Sequence, residues 1–233
     1  MEKQPLPVRI QGALFYGALV LMKRTWNITI EGKENLDKQY REGKSSLICF
    51  WHGKYIPIFP LLKGYDACVI TNQSERGNVI TEICRKFGFV NAQIPDQTNR
   101  NSYKILREAI SSKKISGTAS DGPLGPAKQV KSGVVRIASA LGYSLLPISV
   151  GVRRKITLKN RWDNREIPLP FSRIYLIIGT PIELPPNLRA NQVRIWEETA
   201  SREITALSEK AENLVHKKSK RRKINEHSQR KTN

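Results

Sequence analysis

Residues 45–56 read Ser-Ser-Leu-Ile-Cys-Phe-Trp-His-Gly-Lys-Tyr-Ile. Leu47 to Trp51 is an unbroken apolar run of strand formers, and it stops at His52-Gly53-Lys54. A continuous apolar run of this length suits a strand buried on both faces, as in a parallel sheet. In open α/β sheets, ligands bind outside the carboxyl ends of the strands. The stretch therefore delivers an imidazole to the rim where such sites form. The two remaining histidines, His216 and His227, lie at the far end of the chain, which leaves His52 as the candidate for acid/base chemistry.

Working outward, the same pattern recurs. Trp26–Ile30 alternates as an edge strand, and Ala67–Thr71 is a further short strand. Val79, Ile80, Ile83, Cys84 and Phe87 share a helical face that Gly88 closes. Residues 89–94 return to strand and run into the polar segment 95–102, with a helix from Ser102 to about Lys113. Ile115–Ser120 is a strand ending in Asp121-Gly-Pro-Leu-Gly-Pro126, a loop by composition. A helix follows Ser132-Gly133, then a strand over 145–150 interrupted by Pro147. Residues 153–168 read as basic and irregular. Ile174–Ile178 is a strand, and a long amphipathic helix starts near Asn191. Strands alternating with helices predict an α/β fold built on one mixed, mostly parallel sheet flanked by helices.

The 233 residues carry a formal charge of +20. Such a charge concerns partners rather than fold: nucleic acid, an anionic membrane surface or anionic substrates. Residues 217–233 lack apolar periodicity and read as a basic disordered tail. The body, 26–216, is the predicted domain. Residues 1–25 contain an apolar stretch of about ten residues, half what a bilayer span needs. Its edge of Lys23, Arg24 and Trp26 suits a helix lying in a membrane interface or packing on the core. Cys49, Cys68 and Cys84 sit in apolar runs without a Cys-x-x-Cys pair, so a disulfide framework and a zinc site are not expected. A nucleic-acid partner rests on charge alone, because the body has no recognisable module with interleaved aromatics.

Three polar loops each follow a strand. A neutral imidazole at His52 can take a proton from an alcohol. Gly122 and Gly125 let backbone amides approach a ligand, with Lys128 and Lys131 nearby as charges suited to a phosphate. Arg100, beside a helix start, suits an anion. Each also has a structural explanation: a hydrogen-bonded strand end, a rigid turn, a capped helix. Gly43-Lys44-Ser45 is no phosphate-binding loop, since position 38 is Lys38 and the segment precedes a strand. The first strand has no Gly-x-Gly-x-x-Gly after it, which leaves a dinucleotide without support.

Trp51-His52-Gly53-Lys54, the Arg100 segment, Ser120-Asp-Gly-Pro-Leu-Gly-Pro126, Lys131-Ser-Gly-Val-Val-Arg136, Leu146-Pro147-Ile148 and Ile177-Ile-Gly-Thr-Pro181 occur in this order. The sequence resembles the lysophospholipid acyltransferase family, in its bacterial branch with His-Gly-Arg/Lys and Asp-Gly-Pro-x-Gly-Pro signatures. The resemblance implies an O-acyltransferase at the cytoplasmic face of the membrane. It would move a fatty acyl group from acyl-CoA or acyl-carrier protein to a hydroxyl of a lipid acceptor, with no metal or resident cofactor. His52 matches the general base and Asp121 the acidic position of the third block. Arg100 matches the position that meets the acceptor's anionic group. Lys54, Gly122, Gly125 and Lys128 complete the expected binding residues. Many members carry an aspartate four residues after the histidine, and here that position is Ile56. Asp121 or another acid takes its role, or the imidazole acts unassisted. A non-catalytic lipid-binding relative and a basic nucleic-acid-binding protein are the alternatives.

Overall fold

In the computed structural model, residues 4–95 and 100–229 are described. Alternation along the central strands sets the layers. In β2 (Ser46–Phe50), Ile48 and Phe50 face one core and Leu47 and Cys49 the other. The first core gathers Leu19 of α1 (Leu6–Thr25), Leu36 of α2 (Lys33–Arg41) and Ile83, Cys84 and Phe87 of α3 (Glu75–Phe87). The second gathers Leu106 and Ile110 of α4 (Arg100–Ser111), Val135 and Ile137 of α5 (Ser132–Leu141), and Val193, Ala200 and Ile204 of α6 (Ala190–Gln229). Both faces of the sheet are thus covered, which explains why β2 is buried throughout.

The remaining strands are β1 (Asn27–Glu31), β3 (Ala67–Asn72), β4 (Val90–Ile94), β5 (Ile115–Ala119), β6 (Ser144–Val152) and β9 (Arg173–Ile178), with β7 (Lys155–Leu158) and β8 (Arg165–Pro168) between the last two. Seven of them form one sheet in the order β1-β9-β6-β2-β5-β3-β4. Pairing is parallel except between β6 and β9. The α/β class and mixed sheet match the sequence expectation. The edge strand at Trp26–Ile30 and the helix closed by Gly88, whose φ is +84°, are also where the sequence places them.

Three segments differ from the sequence reading. The strand expected to break at Pro147 is continuous for nine residues. Pro147 pairs with Cys49, and its carbonyl accepts from the Gly179 N–H at 2.8 Å. Residues 155–168 are not irregular: β7 and β8 form a separate antiparallel hairpin. Finally, α6 continues to Gln229, through most of the stretch read as a disordered tail. Lys, Arg, Glu and Gln are good helix formers, which accounts for a helix over that stretch.

The N-terminal helix α1 packs on α3. A Cβ on Gly12 would lie 2.5 Å from the Glu82 Cβ, and the Tyr16 and Phe87 rings meet edge-on at 4.8 Å. Leu6, Ile10, Leu14, Phe15 and Leu21 of α1 remain exposed. Among the described residues, no helix is long and apolar enough to cross a membrane.

Candidate active site

β2 and β5 are parallel neighbours, so their carboxyl ends lie side by side. His52 opens a 3₁₀ turn (His52–Lys54) after β2, and Asp121 follows β5. The Asp121 loop is tied back to the sheet. The Ser120 N–H donates to the Phe50 carbonyl at 2.8 Å, and the Lys131 N–H to the Ser120 carbonyl at 2.9 Å. Asp121 is buried; its Oδ1 accepts from the His52 backbone N–H at 2.9 Å and its Oδ2 from the Lys128 N–H at 3.3 Å. Asp121 therefore fixes the backbone of His52. Burial pushes its carboxyl above the usual range, and these backbone donors offset that only in part.

The carboxylate on the imidazole is Asp163, in the turn between β7 and β8. His52 Nδ1 lies 2.7 Å from Asp163 Oδ2. The Asp163 side chain has no solvent exposure, against 25% for His52. Two guanidiniums hold Asp163: Arg161 Nε donates to Oδ1 at 3.0 Å and Arg165 Nη2 to Oδ2 at 2.9 Å. Burial opposes its charge, but Arg161, His52 and Arg165 together outweigh burial and bring the carboxyl down to about 2. Arg165 Nη2 also stands 3.3 Å from Nδ1. The shorter Asp163 contact, and the donation from Arg165 to the same carboxylate oxygen, assign the Nδ1 proton to the bond with Asp163.

For His52, burial is the main influence and lowers its pKa below 6.5; Asp163 and Asp121 act upward and Arg165 downward. The net result favours a neutral imidazole at neutral pH, protonated at Nδ1 and bearing its lone pair on Nε2. Such a group, one quarter exposed, is equipped to accept a proton from a hydroxyl. The Trp162 ring lies 5.3 Å from the imidazole and the Tyr55 ring 5.7 Å, with the Arg165 guanidinium 5.0 Å above Tyr55.

The other sequence candidates fall in several places. Lys54 Nζ lies 2.8 Å from both Glu166 carboxylate oxygens and 2.5 Å from Glu212. Lys155 bridges the same two acids at 2.9 and 2.7 Å. This places Lys54 as a tie between the His52 turn, β8 and α6, with its charge paired to carboxylates of both elements. Gly122 and Gly125 have φ of +72° and +70°, a region where a side chain is strained. The Gly122 N–H is donated to the Ala119 carbonyl within the turn. Lys128 is exposed. Arg100 begins α4 after edge strand β4, three strand spacings or about 14 Å from β2; its side chain, with Asp96, Thr98 and Asn99, lies outside the described residues. Ile56, at the place of the expected aspartate, packs against the apolar core. Ile58 and Phe59, which follow the His52 turn, are core residues. Among the described residues there is no cluster of side chains able to hold a metal ion.

Sequence reasoning did not find Asp163. Its one signal is that, between Asp121 and Glu166, it is the sole acid in a stretch otherwise rich in Lys and Arg.

The comparisons with known proteins bear on fold and kinship. No family model matches the chain. The fold is similar to that of PlsC, the 1-acyl-sn-glycerophosphate (LPA) acyltransferase from Thermotoga maritima. The TM-score is 0.50 at 19% identity, covering 86% of this chain and 78% of that one. In sequence, the chain is 30% identical over 161 residues to the uncharacterized protein RP090 of Rickettsia prowazekii, across 66% of this chain and 72% of the relative. At that identity and coverage, the chain belongs to the family of RP090.

Proposed function

We propose that the protein is an O-acyltransferase in which His52 is the general base. The observation that carries this reading is the His52–Asp163 contact at the carboxyl edge of the parallel strands. The fold shared with PlsC and the motif order of the sequence support it. Nε2 of His52 takes the proton of the acceptor hydroxyl as its oxygen bonds to the thioester carbonyl carbon. The carbon–sulfur bond then breaks, and the thiolate leaves with the proton returned by the imidazolium. The donor is acyl-CoA or acyl-carrier protein, and the acceptor is a lysophospholipid or related lipid precursor. Arg100 meets the acceptor's anionic group, and exposed Lys128 adds positive charge beside the donor. The protein works at an anionic lipid surface on the cytoplasmic face. The exposed face of α1, with Lys23 and Arg24 in its last turn, suits that interface, each near-surface basic residue adding about 1 kcal/mol.

The test is thioester consumption by wild type and His52→Ala with lysolipid and glycolipid acceptors. The expected loss is about 10²–10⁴-fold. Unchanged turnover in the variant rules out His52 as the base, and a wild type inert towards the whole panel supports a binding-only protein.

A further inference from the structure

The turn between β7 and β8 reaches the site by two close approaches that do not involve the His52 ring. A Cβ on Gly53 would collide with the Asp163 carbonyl oxygen. A Cβ on Gly125 would lie 2.7 Å from Trp162 Cε3. The glycine of the His-Gly-Lys turn and the second glycine of the Asp-Gly-Pro-Leu-Gly-Pro loop thus leave room for consecutive residues of one hairpin. A third tie holds the hairpin's far strand, where Glu166 takes up Lys54. Three sequence-distant segments therefore share one docking geometry, and Asp163 stands at its centre.

We infer that the Lys155–Pro168 hairpin is a positioning element for His52, in which Asp163 holds the imidazole in its Nδ1–H form and Gly53 and Gly125 are the seats on which the hairpin rests. The reaction it serves rests on the acyl-transfer reading, but the tautomer it imposes does not. Asp163 is a positioning residue: its carboxylate is out of solvent and bonded to Arg161, Arg165 and His52. Ile56 stands where a local acid is usual, so the orienting carboxylate arrives from 111 residues away. In this reading, Gly53 is required for close approach of the hairpin backbone.

The test is the tautomer of His52 in the full-length protein, read from ring 15N shifts in long-range proton–nitrogen correlation spectra at about pH 8, where imidazole is neutral. His52→Ala identifies the His52 signals among those of the three histidines. In wild type, Nδ1 is expected to carry the proton and Nε2 to be bare. A wild-type ring protonated mainly at Nε2 overturns the proposal without recourse to any variant. Asp163→Asn and Gly53→Ala are each expected to erase the Nδ1–H preference, and retention of that preference in a folded Asp163→Asn protein also overturns it. In turnover assays, Asp163→Asn is expected to lower kcat by about 10²-fold or more, with KM within about threefold. A wild type without turnover, but with the expected tautomer lost in Asp163→Asn, sustains the positioning role and removes the acyl-transfer reading.

Discussion

Two carboxylates reach His52, and their surroundings set them in opposite directions. Asp121 comes from the loop after the neighbouring strand and is held by neutral backbone N–H groups of His52 and Lys128. Its burial prevails, and its carboxyl is pushed up. Asp163 comes from a separate hairpin and is gripped by two guanidiniums and the imidazole. Its burial is overcome, and its carboxyl falls to about 2. Neutral donors satisfy a buried acid without fixing its charge, whereas guanidiniums keep it ionised. Only the second arrangement yields a permanent anion at Nδ1. The pair thus divides the work: Asp121 sets where the His52 backbone sits, and Asp163 sets the state of its ring.

The largest expected effect separates the two directly. Asp163→Asn should reduce thioester turnover by about 10²-fold or more, while Asp121→Asn should stay within about tenfold of wild type, because a neutral amide oxygen still accepts the His52 N–H. Equal losses in the two variants would erase the distinction. Next in size, Gly53→Ala should lower activity by about tenfold or more, since its methyl meets the Asp163 backbone and displaces the hairpin. Wild-type activity in that variant would show that the close approach does not matter.

Smaller effects belong to stability. Asp163→Asn leaves Arg161 and Arg165 without their carboxylate, which should cost about 1–3 kcal/mol in chemical denaturation, against about 1 kcal/mol for Asp121→Asn, which keeps the bond from His52 and loses the longer one from the Lys128 N–H. The pH dependence differs in sign. Asp163 has a depressed pKa, so its contribution is present above its ordinary value of about 3.9 and is lost as pH falls towards 2. The lowered pKa of His52 acts in the same sense, favouring the folded state above about 6.5 and losing that contribution as pH falls through its folded value. The raised pKa of Asp121 has the opposite sense: its contribution is present below about 3.9 and is lost as pH rises through its folded value. Acid melts of Asp163→Asn should therefore be flatter than those of wild type, and steeper melts would contradict these assignments.

What was legible in the sequence follows the same division. His52 ends a buried apolar run and Asp121 follows a short strand of small residues, so reading the strands leads to both. The three-layer sheet was legible for the same reason: Leu47, Cys49 and Ile48, Phe50 declare two faces. Asp163 gave no such signal. Its hairpin is short, strongly basic and outside the main sheet, and its apolar alternation is limited to residues such as Ile156 and Leu158. The pairing with His52 spans 111 residues, a relation that local pattern cannot encode. The partners of Lys54 were hidden for a related reason. Beside a candidate site a lysine suggests an anionic ligand, yet its carboxylates, Glu166 and Glu212, arrive from the hairpin and α6.

The most direct test of the His52–Asp163 pair is the pH dependence of kcat/KM for thioester consumption, compared between wild type and Asp163→Asn. Asp163 and Asp121 raise the His52 pKa while burial and Arg165 lower it, and the net lowering places the acid limb of the wild type below about pH 6.5. With Asp163 neutralised, one upward influence is gone, and the limb should move further towards acid at a much lower plateau. A limb that keeps its position and its plateau when Asp163 is replaced would contradict the account.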